Sequence, residues 1–372
     1  MGGRSPRKSP RRRRSSRSNS KPSIKKSSRT KRRYRAGAGS SRQRRLEVER
    51  TAEEVLQHGD PSTSVVSLCT LADGSLVSAG FNSTIRAWDP QRNDNNNLSN
   101  PYVGPETPSM QKICNVAKDV IACAYGNGVV GAVRLIDPRQ FRIIHRHTLA
   151  CYDVSSFQTL IASVGSDILP TTGESCEFIM VYSMISQSLY RNNRFDDARS
   201  LCFVDGQRLA IGTTQNTVVL WNFVTNAPMI LGYHGQPPPN PLQTEDHKWV
   251  TSLCTIDEDR LASGCENNTV IIWNINTRAR LHTFNHPKEV HALCLVPSET
   301  SPRLLCGWGC RDQGAGGITL WDVNTGAMIR SYQHDLLVSS ITLLPNGRFA
   351  VASDEGSDIK ILRLDNPSSM LF

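Results

Sequence analysis

The chain has 372 residues, with 43 Lys and Arg against 33 Asp and Glu. The charge is segregated: residues 1–45 hold 19 basic residues and no acid, which leaves 24 basic and 33 acidic residues in 46–372, a formal net of −9 there. This excludes reading the whole protein as a basic nucleic-acid binder, and the absence of any apolar run of membrane-spanning length excludes a transmembrane helix.

Residues 1–45 contain Arg11-Arg12-Arg13-Arg14, Lys31-Arg32-Arg33-Tyr34-Arg35 and Arg42-Gln43-Arg44-Arg45, separated by Ser, Gly and Pro. So little apolar surface cannot offset the entropy of ordering the chain, and a disordered Arg/Ser-rich tail is expected. Ile24 is its one large aliphatic residue, so neither a hydrophobic signal region nor the apolar face of a mitochondrial presequence is expected. The basic runs read as an import signal that importin would engage, and as a site of salt-sensitive, sequence-independent contact with RNA or DNA. A solubilising leader, or a tail folded back onto the acidic remainder, are the alternatives. Tyr34 alone makes no base-stacking surface. Ser5-Pro6, Ser9-Pro10 and the Arg-Ser run from Arg14 to Ser18 are candidate phosphorylation sites, where added negative charge would weaken polyanion contact. The expected location is the nucleus, the nucleolus included, or nucleus and cytoplasm together.

From about residue 46 a pattern of short alternating strands recurs. Clear copies end in Trp88-Asp89, Trp221-Asn222, Trp273-Asn274 and Trp321-Asp322, and three degenerate ones end in Ile136-Asp137, Tyr182-Ser183 and Leu362-Arg363. Successive key positions are 48, 46, 39, 52, 48 and 41 residues apart, the period of propeller blades. In the fifth copy, strands are predicted over 249–256 and 260–265, with Asp257-Glu258-Asp259 as the turn. Residues 90–110 and 234–247, the latter with Pro237-Pro238-Pro239, are long for such connections and read as mobile insertions.

These seven copies resemble WD repeats, over roughly residues 50–365. The resemblance implies an all-β, seven-bladed β-propeller, four strands to a blade, around a central channel. It also implies a His–Ser/Thr–Asp–Trp hydrogen-bond network in each blade. Ser263 and Trp273 fit that network, but Asn267, Asn82 and Gln215 stand where the family prefers Asp, so some blades are expected to be held mostly by packing. His286 and His334 each precede a first strand by four residues. The resulting division is tail 1–45, linker and ring-closing strand 46–60, propeller 61–365 and C-terminal tail 366–372. Glu54-Val55-Leu56-Gln57 is the expected closing strand, with Met370-Leu371-Phe372 as its rival and a short helix over 46–56 as another reading.

The chemistry of catalysis is missing from the sequence. No Gly-rich phosphate loop precedes a helix, and neither GxSxG nor HExxH occurs. Gly314-Ala315-Gly316-Gly317 reads as a long hairpin loop. The eleven cysteines form no CxxC pair, and Cys306 and Cys310 have no ligating partner at zinc spacing. Several sit in apolar runs, such as Ser67-Leu68-Cys69, and read as small buried hydrophobes of a reducing compartment. No enzymatic activity, cofactor or metal is expected.

Binding remains. Phe81, Arg199, Trp249, Glu266, Glu289 and His291 fall at loop positions on the face that propellers of this family use to grip partners, and large aromatic and Arg residues there are interface candidates. Each also has a purely structural reading, packed under a neighbouring loop. The leading expectation is a non-catalytic, monomeric protein-binding scaffold within a larger nuclear complex. One alternative is a substrate receptor of a cullin-type ubiquitin ligase, for which Ile136-Asp137-Pro138-Arg139 approximates a Trp-Asp-x-Arg adaptor motif, with Asp137 and Arg139 as its key residues. Another is an RNA-processing or ribosome-assembly factor.

Overall fold

The computed structural model describes residues 54–58, 63–88, 102–103, 109–135, 141–236, 248–298, 300–311, 314–353 and 355–364. The basic tail, Ile136 to Arg139, the proline run and Met370 to Phe372 lie outside the described residues.

The described residues form seven four-stranded antiparallel sheets and no α-helix. Six sheets take their strands in sequence order. The seventh combines Val338–Leu344, Arg348–Ser353 and Asp358–Arg363 with Glu54–Gln57 as its outer strand. The ring is thus closed by a segment from before the first blade, with Glu54 opposite Ile361 and Gln57 opposite Asp358.

Why these sequences make blades follows from what covers them. The second and third strands of a blade are buried on both faces, because a neighbouring blade lies on each side. Their sequences are therefore apolar runs rather than alternations, as in Val270-Ile271-Ile272-Trp273, all buried. Outer strands meet solvent and alternate, as in Arg280–Asn285. The buried residues fall into seven apolar clusters, each shared by two successive blades. No blade owns a complete core, so each is stable only between its neighbours.

Two details depart from the sequence reading. The 90–110 stretch is not all connection: Tyr102–Val103 pairs with Thr84 and Ile85 as the fourth strand of blade 1. The Gly314–Gly317 segment is not a long loop either, since Ala315, Gly316 and Gly317 already pair with Cys310, Gly309 and Trp308. Glycine is required there because a side chain on Gly316 would meet the Leu336 carbonyl, and one on Gly317 the Trp308 ring.

The hydrogen-bond networks are more complete than the missing Asp residues imply. In blade 5 the Ser263 hydroxyl accepts from the Trp273 indole at 2.7 Å and contacts His234 Nε2 at 2.6 Å. His234 Nδ1 meets Thr269 Oγ1 at 2.8 Å, and Thr269 donates to Asn267 at 2.5 Å. Blade 1 repeats this chain with Trp88, Ser78, His58, Thr84 and Asn82. A threonine thus bridges the gap that Asn leaves where Asp would stand. Blade 3, degenerate at Tyr182, has the acid itself: Asp167 meets His147 at 2.9 Å, and His147 meets Ser163 at 2.9 Å. His286 and His334 take the same place before blades 6 and 7. Five histidines, not two, therefore tie an outer strand to the following blade. Blade 4 is held by packing: Ile211 stands where Ser would be, Phe195 lies 4.9 Å from Trp221, and the indole turns to Asn226.

Candidate functional site at the channel mouth

Every blade begins with the same irregularity. The innermost strand carries a β-bulge at its start, between Val65/Ser67, Met110/Lys112, Cys151/Asp153, Ala198/Ser200, Val250/Ser252, Val290/Ala292 and Val338/Ser340. A bulge takes one residue out of the pairing and re-aims its side chain. The seven skipped residues are Val66, Gln111, Tyr152, Arg199, Thr251, His291 and Ser339. All seven line one cavity of about 810 Å³ at one end of the channel.

The small polar residues after the bulge keep the innermost strands in register. Ser67 accepts the Ile113 amide at 3.2 Å, Asp153 the Leu201 amide at 2.9 Å and Ser340 the Leu68 amide at 3.0 Å. Each bond crosses to the next blade, so the mouth is built on a stitched ring rather than on free loops.

Two further positions reach the same cavity in blades 1 and 5, and the first of them, Glu289, does so in blade 6. The residue before the innermost strand and the one opening the second turn are held together by backbone bonds, Phe81 to Ser64 at 2.8 Å and Glu266 to Trp249 at 3.0 Å. These bonds place Phe81, Trp249, Glu266 and Glu289 on the rim. Phe81 is 53% and Trp249 37% exposed, large values for aromatic side chains in a folded ring.

The rim is zoned. Across blades 3 to 5, the Arg199 guanidinium lies over the Tyr152 ring at 4.0 Å and over the Trp249 ring at 4.7 Å. Across blades 5 and 6, Glu266 accepts the Trp249 amide at 3.1 Å, and Glu289 lies 3.5 Å from His291. Burial pushes the Glu266 carboxyl above its usual value, and the charge of Glu289 adds to the effect. Val66, Phe81 and Leu337 make the apolar remainder. An aromatic-clamped cation, a carboxylate pair and an apolar sector on one rigid rim are the makings of a recognition surface.

Below the mouth the channel continues as a cavity of about 350 Å³, lined among others by Asp153, Ser155, Thr342, Cys69, Cys114 and Cys202. Burial raises Cys114 and Cys202 to about 12, so these thiols stay protonated and unreactive at neutral pH. No group of three or more His, Cys, Asp or Glu among the described residues could hold a metal.

All six residues picked from the sequence, Phe81, Arg199, Trp249, Glu266, Glu289 and His291, lie on this one rim. Tyr152, Gln111, Lys112 and Thr251 were missed. Their signal is the bulge offset, legible once the innermost strands are aligned with one another. Asp137, Arg139 and the tail residues Arg11 to Arg14, Lys31, Arg32, Arg33 and Arg35 lie outside the described residues.

The family model for the WD domain, G-beta repeat, matches residues 53–89 and 239–274. No curated protein matches the chain. Among solved structures, the WD40 β-propeller domain of Doa1 superposes with a TM-score of 0.65 at 15% identity, over 85% of this chain and 97% of that one. A chain of the Mitotic Checkpoint Complex gives 0.68 at 16% identity, over 85% and 92%. The computationally designed Ika8 protein gives 0.59 at 16%, over 84% and 100%.

Proposed function

This chain is a seven-bladed WD-repeat β-propeller, and on that footing we propose that it is a non-catalytic scaffold that grips a partner protein at the channel mouth. WD-repeat propellers serve generally as platforms for protein interaction, and a propeller of this fold occurs within the Mitotic Checkpoint Complex. The observation that carries the reading is the convergence of Phe81, Arg199, Trp249, Glu266, Glu289 and His291, from four different repeats, on one rim.

Phe81→Ala and Trp249→Ala are each expected to cut recovery of co-purifying proteins at least about ten-fold, as anchor residues of an interface do. Met328→Ala, on an outer strand and 55% exposed, is the control and should leave recovery unchanged. An identical partner list for all three variants would sink the mouth as the binding face.

We further propose that the complex is nuclear and that residues 1–45 direct it there through importin and add salt-sensitive contact with nucleic acid. The 19 basic residues without a single acid support this. Removing residues 1–45 should abolish nuclear accumulation of the folded ring, and unchanged accumulation would refute the import role.

A further inference from the structure

We propose that Arg199 is the recognition element of the mouth and that it takes a carboxylate of the partner protein, from an Asp or Glu side chain or from a chain terminus. This rests on the mouth being the binding face and adds the chemistry of what it binds.

Arg199 occupies the bulge of blade 4, and its guanidinium lies against one ring from blade 3 and one from blade 5. Both rings are fixed in turn. The Tyr152 hydroxyl donates to Ser166 at 3.0 Å, and the Trp249 amide donates to Glu266 at 3.1 Å. A cation held over ring faces uses no hydrogen-bond acceptor there, so the guanidinium N–H groups are left available.

Two carboxylates share this neighbourhood, yet neither accepts from those groups. Asp153 accepts the amides of Val154 and Leu201, each at 2.9 Å, and Glu266 accepts the Trp249 amide. Among the described residues nothing accepts a hydrogen bond from the Arg199 guanidinium. A charged group with five donors therefore faces an 810 Å³ mouth with its side chain already ordered. Preorganisation lowers the entropy cost of binding, and a planar edge matches a planar carboxylate two bonds at a time. Phosphate fits less well, because it brings up to two negative charges beside Glu266 and Glu289 where a carboxylate brings one. A basic ligand would meet Arg199 itself.

The test uses the full chain and fluorescein-labelled, C-terminally amidated octapeptides that differ at one central residue in a neutral background: Glu, Gln, phosphoserine or Lys. A fifth peptide has Gln at the centre and a free C-terminus. Anisotropy titrations compare wild type with Arg199→Lys and Arg199→Gln, each checked for an unchanged urea midpoint. Attraction to the basic tail is common to all three proteins and cancels in the comparison. Wild type should bind the Glu peptide, or the free-terminus peptide, at least about ten-fold tighter than the amidated Gln peptide. Arg199→Lys keeps the charge but loses the planar edge, and should lose most of that preference. Arg199→Gln should keep only the preference that the basic tail gives all three proteins alike.

Equal carboxylate affinity in wild type and Arg199→Gln would overturn the proposal. So would preference for the phosphoserine or Lys peptide, or no binding of either carboxylate peptide up to about 1 mM. If Phe81→Ala loses its co-purifying proteins while Arg199→Gln keeps them, the mouth stands as the binding face and Arg199 falls. If both keep them, the mouth falls as well.

Discussion

Acidification from pH 6.5 to about 5 is expected to unfold the ring. Burial holds four histidines of the blade-tying network, and His145, which contacts the Ser163 of that network at 2.6 Å, far below their ordinary value of 6.5: His58, His286 and His334 at about 4, His145 and His234 at about 3. In the folded protein they stay neutral as pH falls through 6.5, while in the unfolded chain they take up protons. The unfolded state then binds more protons than the native one, so stability drops as pH drops. The loss begins near 6.5 and runs down toward 4. Each histidine contributes up to about 1.4 kcal/mol per pH unit, and the five together about 7 kcal/mol per unit. Domain stabilities are about 5–15 kcal/mol in total, so one to two pH units suffice. Asp153 and Glu266 oppose this, because burial raises their carboxyls and protonation relieves that cost. Urea titrations followed by tryptophan fluorescence at pH 7.5, 6.0 and 5.0 give the slope. His234→Gln should flatten it by about one proton. A midpoint that does not move between pH 7.5 and 5.0 would show that the histidine network does not limit stability.

Leu56→Asp should open the ring. Leu56 is 4% exposed and shares its cluster with Leu344, Ala350, Ala352, Ile359 and Ile361 of blade 7 and with Val65, Leu68, Leu76 and Trp88 of blade 1. It sits on the one strand that joins the ring's ends, and the next residue but one, His58, reaches Ser78 and Thr84 of blade 1. Truncating a buried Leu costs about 2–5 kcal/mol, and an unpaired buried carboxylate costs more. The variant is therefore expected to be unfolded or expanded at 25 °C, read as a larger hydrodynamic radius and a lost urea transition. Val55→Asp is the internal control, since adjacent strand residues point to opposite faces and Val55 is 43% exposed. It should change stability by no more than about 0.5 kcal/mol. Equal behaviour of the two variants would mean that the closing strand contributes little.

What could be read in the sequence followed physical lines. The Trp-ended strands were legible because a strand buried on both faces must be an apolar run, and five such runs end in a large aromatic residue. Tyr102–Val103 was not legible, because two residues in an Asn- and Pro-rich stretch carry no period. The histidine positions show the same limit. His286 and His334 stand four residues before a strand, whereas His234 is separated from Val250 by the proline-bearing insertion, and His58 stands seven residues before Val65. Position in space is constant while spacing in sequence is not. Thr84 and Thr269 were invisible as bridges, since their role exists only when Asn replaces Asp beside them. On the rim, Trp249 and Phe81 stood out as aromatics in turns. Tyr152 did not, because nothing in a single strand marks the residue that a bulge will turn outward.

The bulges also separate two kinds of inheritance. None of Val66, Gln111, Tyr152, Arg199, Thr251, His291 and Ser339 is fully buried, and of them Thr251 and Ser339 bond to the next blade's backbone, so at the other five the interior of the ring does not dictate which side chain stands there. Read around the channel they form a seven-letter word, one letter per repeat, in which those five can be rewritten while the grammar of the blades stays fixed. A lineage carrying this ring could exchange one partner for another by spelling changes alone, without passing through an unfolded ancestor.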